Sequence, residues 1–388
     1  MDAMTSMDAI GVLAAMTAVA RRTALVLGAS GGVGGAVARA LRDAGWTVRA
    51  LKRGLASESE HRDGLQWLRG DALDAQDVRR AAQGCSVIVH AVNPPGYRRW
   101  SELVLPMLDN TIAAASARGA TVVLPGTVYN FGPDAMPHPT EDAPQRPVTR
   151  KGAIRVEMER RLQEGAARGA FRAIVLRAGD FFGPGAANSW LSQGLVTPGQ
   201  PVTRIQQPGT DDVGHQWAYL PDVATAMAAL IERCDTLPAF ARFHFAGHWD
   251  DDGRQMVEAI RRVVQRRTGT QPRVSRFPWW AVRLAQPVVP LFRELAEMRY
   301  LWREPLRMDE ARLAAELAGQ GGVPHTPLDL AIERTLEALG CLPVAPAAWP
   351  GLWAGRPAAA PPPAGRSTDG APAGARSGGT SRQCRKGP

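Results

Sequence analysis

The sequence predicts an α/β fold, a doubly wound parallel sheet followed by a smaller C-terminal lobe, and three observations carry that prediction. Strand-like and helix-like segments alternate over the first 180 residues. The first strand runs directly into a glycine-rich turn and an amphipathic helix. After about residue 180 the alternation gives way to loops rich in Gly and Pro and to a set of late helices.

Taken in order, the apolar segment 23–27 reads as a strand and 33–44 as a helix, with Val33, Val37 and Leu41 at helical spacing. Further strands are expected at 46–51, 65–69, 86–91, 120–125 and 171–177, with helices at 74–82, 100–118 and 149–166. A helix at 221–233, a strand at 241–246 and several helices between 253 and 340 follow. Right-handed crossovers between parallel strands put helices on both faces, and a ligand then belongs at the carboxyl ends of the strands.

Bulk properties narrow the partners. The 388-residue chain carries a net charge of +9, but the segment from Pro343 to Pro388 holds +5 of it. That segment is low-complexity Pro, Ala, Gly, Ser and Arg, so it reads as a disordered tail; specific nucleic-acid binding is not expected. No apolar run approaches the roughly 18 residues that span a bilayer, so no membrane segment is expected. Cys85, Cys234, Cys341 and Cys384 form no CxxC pair, which suits a reducing cytoplasm and argues against structural zinc. Ala18-Val19-Ala20 resembles a signal-peptidase site, yet no Lys or Arg precedes it, and a start at Met16 is the plainer reading. His138, His215 and His248 fall on expected loops, and none has a metal-ligand spacing. The aromatic residues between Phe277 and Trp302 read as core packing of the C-terminal lobe rather than as a ligand wall.

The turn Gly28-Ala29-Ser30-Gly31-Gly32-Val33-Gly34 points to a nucleotide cofactor. Glycines remove the Cβ atoms that would hold a pyrophosphate away from the backbone, and the following helix aims its free N–H groups and positive dipole end at the phosphates. An NAD site usually has an acid at the end of the second strand. Here that strand ends in Lys52-Arg53-Gly54, with no acid before Glu58. Basic residues suit a 2′-phosphate, with Arg53 first and Ser30 assisting, so NADP(H) is expected ahead of NAD(H), which stays possible.

Four further stretches, taken with this turn, resemble the extended and atypical short-chain dehydrogenase/reductase proteins, the group that includes NAD-dependent epimerases and dehydratases. They are Gly70-Asp71-Ala72-Leu-Asp74, Val87-Ile-Val-His90-Ala91-Val92-Asn93, Leu176-Arg177 through Gly183-Pro184-Gly185, and Trp217-Ala-Tyr219-Leu-Pro-Asp222-Val223-Ala224. The resemblance covers roughly 22–340 and implies a Rossmann cofactor domain at 22–180 and a substrate lobe at 181–342, interleaved with the end of the sheet. Residues 1–21 are then an N-terminal extension and 343–388 the tail. It further implies that Asp71, with Ala72, meets the adenine, that Ala91, Val92 and Asn93 lie under the cofactor ribose, and that Asp222 caps a helix. The helices after the fourth and fifth strands imply a possible homodimer.

Chemistry in that group normally uses a tyrosine and a lysine four residues apart, plus a serine or threonine at the end of the fifth strand. The four tyrosines here, at 97, 129, 219 and 300, have no such partner. Pro147-Val-Thr-Arg-Lys151-Gly-Ala-Ile-Arg155 overlays the family segment with Lys151 at the tyrosine position and Arg155 at the lysine position. Pro125 or Gly126 stands near the serine position, Thr127 is the nearest hydroxyl, and Tyr129 is a third candidate proton donor. The resemblance therefore implies an NADP(H)-dependent oxidoreductase or epimerase/dehydratase acting on a carbonyl, hydroxyl or nucleotide-sugar substrate. Two readings stay open at this point: Lys151 moves a proton, or Lys151 and Arg155 only bind anionic groups in a non-catalytic cofactor sensor or scaffold. Each of the two cations could also be a solvated helix charge.

Overall fold

The computed structural model describes residues 22–94, 99–210, 212–288 and 290–344. The expectations for 1–21 and for the tail from 345 onward lie outside the described residues.

The main sheet has eight strands: β1 (Thr23–Leu27), β2 (Thr47–Lys52), β3 (Ser59–Arg62), β4 (Leu65–Arg69), β5 (Val87–His90), β6 (Thr121–Thr127), β7 (Ala173–Ala178) and β11 (Phe240–Phe245). Their spatial order is β11-β7-β6-β5-β1-β2-β4-β3, all parallel except the β3–β4 pair. The order reverses between β1 and β5, which opens the crevice where open α/β sheets take ligands.

Alternation along β1 divides its side chains between two cores. Ala24 and Val26 join Val37 and Leu41 of α1 (Gly32–Asp43) and Met227 and Leu230 of α5 (Leu220–Glu232). Leu25 and Leu27 join Val78 of α2 (Ala75–Ala81), Leu108 of α3 (Trp100–Ser116) and Met158 and Leu162 of α4 (Arg150–Ala167). Both faces being covered, the parallel strands are continuous apolar runs rather than alternating ones.

The C-terminal lobe adds β8 (Asp180–Phe182), β9 (Arg204–Gln207), β10 (His215–Tyr219), β12 (His248–Asp250) and β13 (Arg273–Arg276). They form a β12-β10-β8 sheet and a β13-β9 ribbon. A third core of Trp190, Trp217, Ile260, Val263 and Trp302 fills it, drawing on α6 (Gln255–Thr268). Most of the aromatic residues from 277 to 302 pack against or within this core, as the composition suggested. His215 and His248, expected on loops, lie on β10 and β12 because those short strands pair with β8 and with each other. Asp222 is not a cap: it sits inside the first turn of α5, and its carboxylate accepts from Thr326 N at 2.6 Å and Thr326 Oγ1 at 2.7 Å, tying a late loop to the helix.

One buried ion pair crosses the sheet–helix boundary. Arg177 on β7, fully buried, donates from Nε to Glu159 Oε1 at 2.9 Å and from Nη2 to Oε2 at 2.5 Å. Asn130 Nδ2 donates to the same carboxylate at 2.9 Å, and Arg177 Nη1 donates to Glu141 O at 3.1 Å. Removing one partner strands the other as an unpaired buried charge, so Glu159→Ala should lower unfolding free energy by about 3–5 kcal/mol, read by chemical denaturation. A loss below about 1 kcal/mol would show that the pair is not buried as described.

Candidate active site

The glycine turn lies at the switch point. Gly28 has φ +87°, and a Cβ there would fall 2.5 Å from Ala91 O and 2.8 Å from Val92 Cα. A Cβ on Gly34 would fall 2.3 Å from Gly28 O. At these two positions the missing side chain makes room for protein backbone: β1 approaches the segment after β5, and α1 approaches the turn. The hydrogen bonds Gly31 N to Gly28 O and Gly35 N to Gly31 O, both 2.9 Å, close the turn. A Cβ on Gly32 would meet Gly185 O at 2.7 Å, so the loop after β8 lies over the turn. The N-cap of α1 is Gly31, with no side-chain cap and no acid in the first turn. Gly31 and Ser30 are exposed and Gly32 and Val33 half-buried, which leaves an electropositive helix end accessible to an anion.

At the end of β2, Lys52 Nζ lies 5.7 Å over the Trp67 ring. Arg53 is 69% exposed and its Nη1 is 3.9 Å from Asp71 Oδ2, so both flank one mouth of the crevice. Asp71 Oδ1 accepts from Leu73 N at 3.0 Å, and the Ala72 carbonyl accepts from Asn110 Nδ2 at 3.0 Å.

Helix α4 brings Lys151 and Arg155 inward. Thr149 Oγ1 caps it by accepting from Gly152 N at 3.0 Å. A Cβ on Gly152 would fall 2.1 Å from Tyr129 O, so only glycine lets the helix start close on that turn. Lys151 is 5% exposed and Arg155 8%, which removes the solvated-charge reading of both. Arg155 Nη1 donates to Pro125 O at 3.3 Å, its guanidinium lies 5.3 Å over the Trp100 ring, and Nη2 donates to the Asn93 side-chain oxygen at 3.2 Å. Arg155 thus joins the ends of β5 and β6. Thr127 Oγ1 accepts from Tyr129 N at 3.3 Å, so this hydroxyl shapes the turn that presents Tyr129. Beneath them His90 Nδ1 is 2.8 Å from Thr111 Oγ1, and burial together with Arg155 pushes its pKa down to about 3.

Two residues without an expected role complete the site. Asp180, at the start of β8, lies 3.5 Å from Tyr129 Oη through Oδ1 and 2.8 Å from His215 Nε2 through Oδ2. His215 Nδ1 is 3.2 Å from Leu301 O, and the ring stacks on Trp302 at 3.8 Å with an interplanar angle of 2°. Thr127, Tyr129 and Arg155 therefore meet at the end of β6, with Lys151 buried in the first turn of α4 that closes on Tyr129 and with Asp180 and His215 behind that tyrosine. The carboxylates of Asp250, Asp251 and Asp252 lie within 4.8 Å of one another, but Asp250 caps α6 by accepting from Gln255 N and Met256 N.

A doubly wound sheet, a glycine turn at its switch point and polar side chains gathered at the carboxyl ends of β5 and β6 define a dinucleotide-fold protein. The chain belongs to the NAD dependent epimerase/dehydratase family, whose sequence profile matches residues 24–244. Among solved structures it is similar to UDP-glucose 4-epimerase from Brucella ovis in complex with NAD (16% identity, TM-score 0.61, 82% of this chain and 98% of that chain). It is also similar to MoeE5 in complex with UDP-glucose and NAD (19%, 0.59, 81% and 98%). A third is the UDP-glucose 4-epimerase of Thermus thermophilus in complex with NAD (19%, 0.57, 82% and 98%). At these identities the likeness is one of fold. No curated protein matches the chain in sequence. No described helix is long and apolar enough to cross a membrane.

Burial also sets an acid response. His90 and His244 are held down to about 3 and His248 to about 4, burial being the first cause in each. Unfolded histidines bind protons near 6.5, so below that pH the unfolded chain binds more protons than the native one. Stability should therefore fall as pH drops from about 6.5 toward 4, by up to about 1.4 kcal/mol per pH unit for each such histidine. Denaturation midpoints across that range measure the slope, and His90→Asn should reduce it by about one proton; an unchanged slope would place His90 in solvent.

Proposed function

We propose that the chain is an NADP(H)-dependent oxidoreductase or epimerase/dehydratase-type enzyme acting on a hydroxyl or carbonyl group, a nucleotide sugar being one such substrate. The observation that carries this is the burial of Lys151 and Arg155, one helical turn apart, against the strand ends where Tyr129 is presented. Burying two cations is expensive unless they serve a partner or a ligand, and a solvated face needs neither.

The residues fit a nicotinamide dinucleotide. The uncapped end of α1 with Ser30, Gly31, Gly32 and Val33 would hold the pyrophosphate, Asp71 and Ala72 the adenine, and Ala91, Val92 and Asn93 the ribose. Arg53, exposed and held only loosely by Asp71 at 3.9 Å, would take a 2′-phosphate, the basis for NADP(H) over NAD(H). When bound, the cofactor supplies or accepts hydride. The chain's own residues do the rest. Tyr129 Oη, hydrogen-bonded to Asp180, holds or moves a proton at the substrate oxygen. Lys151 supplies positive charge from the next element, and Arg155 fixes Asn93 and the Pro125 carbonyl. We also propose, from the same family reading, a cytoplasmic protein that pairs through α3 and α4; sedimentation at two concentrations tests the dimer.

Titration with NADPH and with NADH, followed by thermal midpoint, tests the cofactor reading, since a ligand bound only to the native state raises it, by about 2.7 kcal/mol at a hundred times Kd. The expected result is a larger rise with NADPH, with Arg53→Glu abolishing that preference but leaving the NADH response. Equal responses in the wild-type protein would overturn the NADP(H) assignment; no response to either would overturn cofactor binding. With a substrate in hand, Lys151→Ala or Tyr129→Phe should lower turnover by about 10²–10⁴-fold if that group moves the proton. Loss of cofactor affinity alone from Lys151→Ala would make it a binding residue.

A further inference from the structure

The helix after β13 carries apolar side chains on two opposite faces. Helix α7 (Trp279–Ala285) runs on as turns to residue 288, with Gln286 N donating to Val282 O at 2.9 Å and Val288 N to Ala285 O at 3.1 Å. Its inner face packs on the lobe. Trp279 lies 4.9 Å from the Phe277 ring and 5.8 Å from that of Trp190, its Nε1 donates to Pro208 O at 2.7 Å, and Val282 is buried. Trp280, Leu284 and Val288 follow one another at a spacing of four and share the outer face, where they are 68%, 76% and 80% exposed. Seven large apolar side chains are exposed among the described residues, and these three together with Val274 of β13 place four of them within 274–288. Single exposed apolar residues are ordinary, whereas a cluster at helical spacing marks a surface that something covers.

Cations surround the stripe. The segment from β13 to residue 303 holds six arginines, at 273, 276, 283, 293, 299 and 303, against two acids, Glu294 and Glu297. Arg273 stands opposite Arg204 in the β13-β9 ribbon, and both are exposed. Arg283 is exposed on α7 itself. The Arg299 guanidinium lies 5.3 Å over the Trp279 ring, and its pKa is lowered by burial and then by Arg303 and Arg283, so three guanidiniums gather beside the helix. Grouped cations repel one another, and an anionic partner reverses the sign of that term. An indole and two aliphatic side chains flanked by arginines, whose stems can lie along apolar surface while their heads stay among polar groups, match a helix lying in the plane of a bilayer.

We propose that α7 is a peripheral contact with an anionic lipid surface. Trp280, Leu284 and Val288 enter the boundary between headgroups and acyl chains, and the surrounding arginines pair with lipid phosphates. The contact is with one leaflet and needs no spanning helix. It goes beyond the enzyme reading above and does not depend on it.

The test is co-sedimentation of the full chain with vesicles of phosphatidylcholine alone and of phosphatidylcholine and phosphatidylglycerol in equal parts. The expected result is binding to the mixed vesicles that weakens as salt is added, and a partition at least about tenfold lower when Trp280→Ser and Leu284→Ser are combined. Both side chains being exposed, an unchanged thermal midpoint shows that the double variant is folded. No binding of the wild type to mixed vesicles overturns the proposal. So does equal binding by the double variant, which would assign the attraction to charge alone, such as the +5 carried from Pro343 to Pro388. If the double variant fails to fold, Arg283→Glu carries the test, and binding equal to wild type again overturns the proposal. Concentration-dependent self-association that the double variant loses, without vesicle binding, would overturn the lipid assignment in favour of a second copy of this chain.

Discussion

The bidentate contact between Arg177 and Glu159 is the constraint on which the site depends. Glu159 lies two helical turns after Lys151 and one after Arg155, so all three share a face of α4. Once the planar guanidinium of β7 has fixed Glu159, the rotation of α4 is set, and with it the inward direction of the two earlier cations. A buried ion pair adds little net stability over a hydrophobic pair of equal volume. Its value here is geometric, because a hydrophobic contact would tolerate rotations that carry Lys151 toward solvent.

The same arginine packs against the end of β6. A Cβ at Gly126 would fall 2.7 Å from Arg177 Cγ and 3.1 Å from Arg177 Cα. A side chain at 126 and the Arg177 stem therefore compete for one volume, and the hydroxyl in this turn is that of Thr127. That oxygen then accepts from Tyr129 N and shapes the turn, while Gly152 lets α4 close against the Tyr129 carbonyl. Tyr129 itself is presented from the turn directly after β6.

What was legible in the sequence was whatever local pattern decides. β1, the glycine turn and α1 announce themselves through apolar runs and spacing, and so do the buried central strands. β3 and β9 did not, because Ser-Glu-His-Arg and Arg-Ile-Gln-Gln carry little apolar alternation and exist only through pairing with β4 and β13. Lys151, Arg155, Thr127 and Tyr129 could be found by register against a family segment, but the burial of Thr127, Lys151 and Arg155 could not, since it depends on how α4 packs on the sheet through Met158 and Leu162. Asp180 and His215 are 35 residues apart and meet because β8 and β10 pair in the register that sets Trp217 opposite Asp180. Nothing local encodes that register. The aspartate two residues after a strand that ends in Arg177-Ala178 was the one signal that could have drawn attention to it.

Charge is divided across the crevice. One side gathers the free end of α1, Arg53, Lys151 and Arg155, all electropositive and close to the strand ends around the switch point. The other side, on the lobe, presents a carboxylate bonded to an imidazole over an aromatic floor.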